Sequence, residues 1–416
     1  MKRKIVSGCI ALFFIFVVLT TPGLLAESKP PRVFLYDAED LALSKSRLEA
    51  GDETLQPALD SLLHQADRAL QQGPWSVMDK PFTPPGGDKH DYMSVGPYWW
   101  PNPDTEDGLP YIRKDGLTNP ERELYDRVPL EKLTSAVKTL SLAYYFTDHE
   151  LYAARAAGLI RVWFLDDSTR MNPNLNYGQA IPGITIGRGI GIIDTYRFAP
   201  ICDAIRLLEL SGHWTDRDHA AIKKWFDKYL HWLLTSDHGK DEAAKENNHG
   251  TFYDIQTSRL AFFVGREDIA EKILSRVPEK RIAVQIEPDG RQPLELSRTS
   301  AFGYSSGNLR GLFRLAMLAE HVGLDLWHFR TTDGRSIRAG LEFLLPFALQ
   351  EKEWPYQMIH GWRNHLDKMY FMLRIAAQKY QYPPYEEMID RLPRVDTKTH
   401  RFTLLYPKKE IATQKQ

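Results

Sequence analysis

The chain has 416 residues, of which 26% are charged and 43% hydrophobic, with a formal net charge of −1. That balance is ordinary for a globular protein. It argues against bulk nucleic-acid binding, though not against an acidic ligand held in a local basic cleft.

Lys2-Arg3-Lys4, the apolar run Ile10 to Leu19 and Leu24-Leu25-Ala26 predict a secretory signal peptide over residues 1–26. The run is shorter than the ~20 residues of a comfortable span, so the mature chain is expected to carry no membrane anchor. Val6-Ser7-Gly8-Cys9 resembles a lipoprotein box only faintly, because no apolar segment precedes it. Cleavage takes the charge to −4 and leaves Cys202 alone, which excludes an internal disulfide and a cysteine-based zinc site.

Helices are predicted over Ala38–Ala50 and Leu55–Gln71. Residues 73–129 change character, with Pro, Gly, Trp, Tyr and Asp dominating and Gly96-Pro97-Tyr98-Trp99-Trp100-Pro101 at the centre. Long irregular segments of this kind are functional or disordered, and the aromatic density argues for function. Leu130, Leu133, Val137, Leu140 and Tyr144 then recur at helical spacing. So do Ile222, Trp225, Phe226, Tyr229, Leu230 and Leu233, with Thr215 as N-cap. Stretches 255–264, 269–274, 309–318, 337–347 and 369–377 read the same way. About a dozen helices with little strand alternation predict an all-α chain of stacked helix pairs, or a toroid of them. The expected organisation is one domain over 27–400, with a long loop at 73–129 and a polar, peripheral tail at 401–416.

Chemistry concentrates in two stretches. Asn247-Asn248-His249-Gly250-Thr251-Phe252-Tyr253-Asp254 puts two amides, an imidazole, a phenol and a carboxylate at a helix entrance. Glu295-Leu296-Ser297-Arg298-Thr299-Ser300-Ala301-Phe302-Gly303-Tyr304 follows about fifty residues later. Each residue has an ordinary reading: Tyr304 as a core phenol, Arg298 as the partner of Glu295, Asn248 and His249 as a helix cap. Together they meet the needs of β-elimination from a uronic acid. Donors must hold the carboxylate as charge builds on it, a base must take the C5 proton, and an acid must protonate O4. Tyr304 can serve both steps if Arg298 lowers its pKa; His249 is either a charge neutraliser or the C5 base. Two further connections mix amides, aromatics and glycine as sugar-binding loops do: 170–189, with Asn176, Gln179 and Arg188, and 353–362, with His360 and Trp362. With Tyr98, Trp99, Trp100 and Tyr253 these are the candidate substrate contacts. The zinc-helix, calcium-loop, dinucleotide and serine-nucleophile patterns are absent, so no metal or cofactor is expected. Gly187-Arg188-Gly189-Ile190-Gly191 reads as helix packing. Two rivals stand beside the lyase: a glycoside hydrolase using Asp194, Asp254 or Glu295, and a non-catalytic glycan binder with Trp99 and Trp100 as platforms.

The run Met93–Pro101, Met171–Gly183, Asn247-Asn248-His249-Gly250 and Arg298–Asn308 resembles the alginate-lyase-like polysaccharide lyases, family 38 in particular, over nearly all of the mature chain. The resemblance implies an α/α toroid of six or seven helix hairpins. It also implies metal-independent cleavage of a polyuronate (alginate or glucuronan) and a periplasmic setting. It assigns Asn248 and His249 to the Asn-His pair, Arg298 to the arginine and Tyr304 to the catalytic tyrosine. In this sequence Gly250-Thr251-Phe252 follows the Asn-His pair.

Overall fold

Helical periodicity becomes an inner and outer set of helices in the computed structural model, which describes residues 31–361 and 365–411. The predicted signal segment and Trp362 lie outside these. In chain order the helices begin with α1 (Ala38–Glu49), α2 (Gln56–Leu70), α3 (Arg127–Thr147), α4 (Glu150–Phe164), α5 (Phe198–Leu208) and α6 (Asp216–Thr235). Next come α7 (Asp237–Ala243), α8 (Asn248–Val264), α9 (Glu267–Leu274), α10 (Ala283–Gln285), α11 (Pro293–Leu296) and α12 (Ala301–Glu320). The last four are α13 (Ile337–Ala348), α14 (Leu366–Lys379), α15 (Pro384–Ile389) and α16 (Phe402–Leu405). Successive antiparallel neighbours pack as hairpins, α3 on α4 and α8 on α9, and the long helices close an α/α toroid. None among the described residues is long and apolar enough to cross a membrane.

Local signals explain the boundaries. Thr215 caps α6 as its sequence predicts: its side chain accepts from Asp218 N, and Asp218 answers Thr215 N. Asn247, rather than Asn248 or His249, caps α8, its Oδ1 accepting from His249 N at 3.2 Å. Helix α8 ends at Gly265, whose φ of 82° suits a residue without a Cβ.

The inner helices are buried on nearly every side, so their polar residues must find partners inside the protein. In α8, Thr251 donates to Gln285 Oε1 at 2.9 Å, Asp254 pairs with Arg281 at 2.7 Å, and Arg259 pairs with Asp203. Asp203 also accepts from the backbone of Phe34 at 2.7 Å and Leu35 at 3.2 Å, so one carboxylate ties the first described segment to α5 and α8.

Segment 73–129 is ordered around short strands. Strand β1 (Met93–Val95) runs parallel to β4 (Tyr177–Ala180), and β2 (Trp99–Trp100) pairs antiparallel with β3 (Ile112–Arg113). A buried Lys80–Asp126 pair at 3.0 Å pins its start to the N-terminus of α3. The polar, peripheral tail is corrected at 401–406. Leu404, Leu405 and Tyr406 are buried, Tyr406 Oη donates to Leu35 O at 2.9 Å, and Phe402 and Tyr406 pack on Phe371. A polar average hid four apolar residues that complete the core.

Asp203→Ala should lower stability by about 3–5 kcal/mol, because it leaves Arg259 buried without its counter-charge. The midpoint of denaturant unfolding measures this, and a loss below ~1 kcal/mol would show that the pair is not what joins these elements.

Candidate active site

The two polar stretches meet. Asn248 and His249 at the start of α8, and Arg298 and Tyr304 at the start of α12, line one cavity of about 340 Å³. Of the candidate substrate contacts, Tyr98, Trp99, Gln179 and Arg188 share its walls, and Arg113, Arg127, Lys245 and Asn247 join them. A larger cleft of about 650 Å³ between the 33–40 segment and α14 holds none of the four.

Tyr304 is held on two sides. Arg298 Nη2 donates to its hydroxyl at 2.7 Å with the guanidinium carbon 3.9 Å from the ring centre, and Tyr98 Oη lies 2.9 Å from the same oxygen. Burial pushes the phenol well above its ordinary pKa and the Tyr98 contact adds to this; Arg298 opposes both without cancelling them. The expected net lowering by Arg298 is therefore corrected: the resting group is a neutral phenol with a guanidinium ready to receive its anion. Arg298 does not pair with Glu295. Its partner is Asp115, at 2.7 Å, from the long loop. Burial favours the protonated Asp115, but the bonds from Arg298 and Thr299 outweigh it and hold the carboxyl below its usual range.

Glu295 instead accepts from Asn248 N at 2.7 Å and sits beneath the pocket floor, where burial pushes it up to about 7. The Asn248 Oδ1 atom is buried without a protein partner, so the amide is uncommitted. His249 Nδ1 lies 2.7 Å from the buried Glu242. A carboxylate only accepts, so this contact puts the proton on Nδ1 and turns Nε2 outward. A Cβ on residue 250 would come within 2.1 Å of Lys245 O and 2.4 Å of the Arg281 guanidinium. The glycine after the Asn-His pair is thus what lets α8 begin against Arg281.

Arg188 donates to the backbone and side-chain oxygens of Gln179 at 2.9 and 3.1 Å and lies 5.8 Å from the Trp99 ring. Burial pulls its pKa down to about 10, and no carboxylate pairs with it among the described residues. Of the glycines around Arg188, Gly189 packs on α7 as the helix-packing reading expects, whereas Gly187 and Gly191 serve close approach to loop and β4 backbone. A Cβ at Gly187 would meet Asn176 O at 1.9 Å and one at Gly191 would meet Gly178 O at 2.3 Å.

Other candidates lie elsewhere. Trp100 Nε1 donates to Leu117 O and its ring faces Lys114, while Asn176 Oδ1 accepts from Trp232 Nε1. Tyr253 is buried with its hydroxyl on Leu233 O, and His360 contacts Gly116 O. These four are absent from the cavity walls, and Trp362 lies outside the described residues. The rival carboxylates are also committed. Asp194 is buried in a polar network, Asp254 on Arg281 and Glu295 under Asn248. Sequence reasoning missed Asp115 and Glu242, the partners of Arg298 and His249; neither has a motif, since only folding brings them near.

A family model of alginate lyases matches residues 76–354. An alginate lyase from Bacteroides ovatus is 43% identical, with a TM-score of 0.88 over 91% of this chain and 100% of its own. A variant of alginate lyase A1-III complexed with a tetrasaccharide shares the fold at 15% identity, TM-score 0.60, covering 94% of this chain and 99% of that one. The same lyase from Sphingomonas species A1 gives 14% identity, TM-score 0.53, and 89% and 95% coverage. No curated protein matches the sequence. The family match over two thirds of the chain and the close structural relative make this chain a member of the alginate lyase family, and hence a polysaccharide lyase.

Proposed function

We propose that the enzyme cleaves a 1,4-linked polyuronate, alginate or glucuronan, by β-elimination carried out by its own side chains, after export to the periplasm. The observation that carries this reading is the cavity wall. Four arginines, a lysine and a histidine surround a tyrosine, and no carboxylate lines the cavity among the described residues. Such a surface attracts a chain bearing one carboxylate per sugar. A hydrolase would need two carboxylates at the bond instead.

In the proposed step the uronate carboxyl is held by Asn248, Arg298 and, when its ring is doubly protonated, the His249 Nε2–H. Their donors stabilise the charge that grows on it as the C5–H bond breaks. Tyr304 first gives its phenol proton to solvent, and the resulting anion, stabilised by Arg298, takes the C5 proton. Electrons from C5–H form the C4–C5 double bond, and O4 leaves with a proton from the same phenol when both atoms lie on one side of the ring. For the opposite geometry His249 Nε2 is the base and Tyr304 the acid. The relative from Bacteroides ovatus, described as an alginate lyase, supports the substrate class.

Cleavage by elimination creates a double bond conjugated to the carboxylate, so ultraviolet absorbance should grow together with reducing ends. Reducing ends without absorbance would establish a hydrolase, and neither signal with retained affinity a binder. Tyr304→Phe should lose ~10²–10⁴-fold in kcat while still binding polymer; wild-type turnover in this variant would take the phenol out of the mechanism.

Asn248→Ala should cost on the order of 10²–10³ in kcat and raise KM less, since its amide matters most once charge has developed. A change confined to KM would instead mark Asn248 as a uniform binding contact.

Glu242→Ala should lower kcat about 10²-fold through misplacement of His249. Glu242→Gln, which can still accept from Nδ1, should recover most of that loss. If the two variants behave alike, the hydrogen bond to His249 is not what Glu242 contributes.

A further inference from the structure

Helix α12 is buried on every side but one. From Ala301 to Ala319 the residues that keep some exposure are Tyr304, Gly307, Arg310 and Arg314. Spacings of three, three and four place them on one helical stripe. Tyr304 fixes that stripe on the active-site side. Arg310 and Arg314 follow the same exposed stripe as it winds, turned about 120° and 80° from Tyr304 and about 9 and 15 Å further along the axis.

Other elements bring more cations to this inner face. Arg314 donates to Tyr196 Oη, with its guanidinium 5.8 Å from that ring and 5.9 Å from Phe371 on α14. Arg401 donates to Gln65 at 2.8 Å and to Thr139 Oγ1 at 2.9 Å, next to Lys138 on α3. Lys138 lies within the fields of Arg401, Arg314, Arg310 and Arg197. Arg197 pairs with Glu131 at 2.8 Å, a carboxylate that Arg122 and Arg127 share. The Lys138 ammonium and the Arg310 guanidinium have neither a hydrogen-bond nor a carboxylate partner among the described residues. Asp367 is the acid that acts on Arg310. Burial first, and then these neighbouring cations, push Lys138 down to about 7 and Arg310 to about 10.

Several half-exposed cations of like sign close together repel one another unless an opposite charge joins them. Guanidinium forks are also the side chains best shaped to hold two oxygens of one anion. We propose that the interior of the toroid beyond Tyr304 is a binding site for one oxyanion, held among Lys138, Arg310, Arg314 and Arg401. Two sources share this chemistry. One is a free inorganic ion such as phosphate. The other is the carboxylate of a uronate unit reaching inward from the catalytic cavity, which rests on the function proposed above.

Calorimetric titration of the full chain with inorganic phosphate, at ionic strength held constant with chloride, tests the site. One phosphate should bind per chain, and Arg310→Gln should weaken binding at least tenfold. If Arg310→Gln does not fold, Lys138→Gln replaces it with the same expectation. Absence of saturable binding to the wild type, or equal binding in the variant, overturns the proposal. A parallel titration with a free uronic acid and a cleavage assay in phosphate distinguish the sources. Competition by phosphate with polymer, together with uronate binding lost in Arg310→Gln, assigns the site to the substrate path. Phosphate binding without inhibition assigns it to a resident ion. The phosphate titration needs no turnover, so failure of the polyuronate reading would leave its outcome readable.

Discussion

The carboxylate of Asp194 is the constraint on which the site depends. It is fully buried and accepts from Tyr92 Oη at 3.1 Å, Ser94 Oγ at 2.6 Å and Gln179 Nε2 at 3.0 Å, with Arg127 at 3.2 Å. Those groups come from the long loop, from β4 and from α3, so one carboxylate reinforces the β1–β4 pairing and the Lys80–Asp126 pair that also join them. Gln179 adopts a left-handed backbone at φ 49°, uncommon for a residue with a side chain. Its side chain bonds Asp194, and its two oxygens hold Arg188. A buried acid thus orients a half-buried cation two residues removed, and through it the Trp99 wall. A single buried carboxylate with satisfied lone pairs does this because leaving any of its donors unpaired would be costly.

The same division recurs around the cavity. Cations and amides face the opening, while the acids that position them lie one layer behind: Glu242 under His249, Glu295 under Asn248, Asp115 beside Arg298. Placing the acids there keeps the walls attractive to a polyanion while fixing each donor in one orientation. Preorganisation of this kind is what electrostatic catalysis requires, because donors already aimed do not have to be reoriented during the reaction.

What could be read from the chain, and what could not, follows from the range of the interactions involved. The helices announce themselves because apolar periodicity is local, and Thr215 was legible as a cap for the same reason. Asn248, His249, Arg298 and Tyr304 could be grouped from the sequence because one reaction would ask for all of them, and the fold does bring them to one cavity. Asp115 and Glu242 were not, since nothing local distinguishes them from the other acids of the chain. Aromatic density located the loop but could not say which ring turns inward. Trp99 does, while Trp100, the next residue of the same strand, turns to Leu117 and Lys114. Alternation along a strand makes one of two adjacent rings face away, and sequence does not fix the parity. The tail was misread for a related reason: composition averages over 401–416, whereas burial is decided residue by residue at Leu404, Leu405 and Tyr406.

The bond from Tyr406 Oη to Leu35 O joins positions 371 apart in sequence. A ring of helices sealed by such a contact cannot be finished piecemeal. During synthesis the first helices have neighbours on one side only, and the apolar surface destined for α14 and α16 stays uncovered until those segments emerge. Closure entropy grows slowly with loop length, so the delay is one of timing more than of equilibrium cost. The order of assembly is therefore written into the join: the last turn to be made is the one that lets the first become permanent.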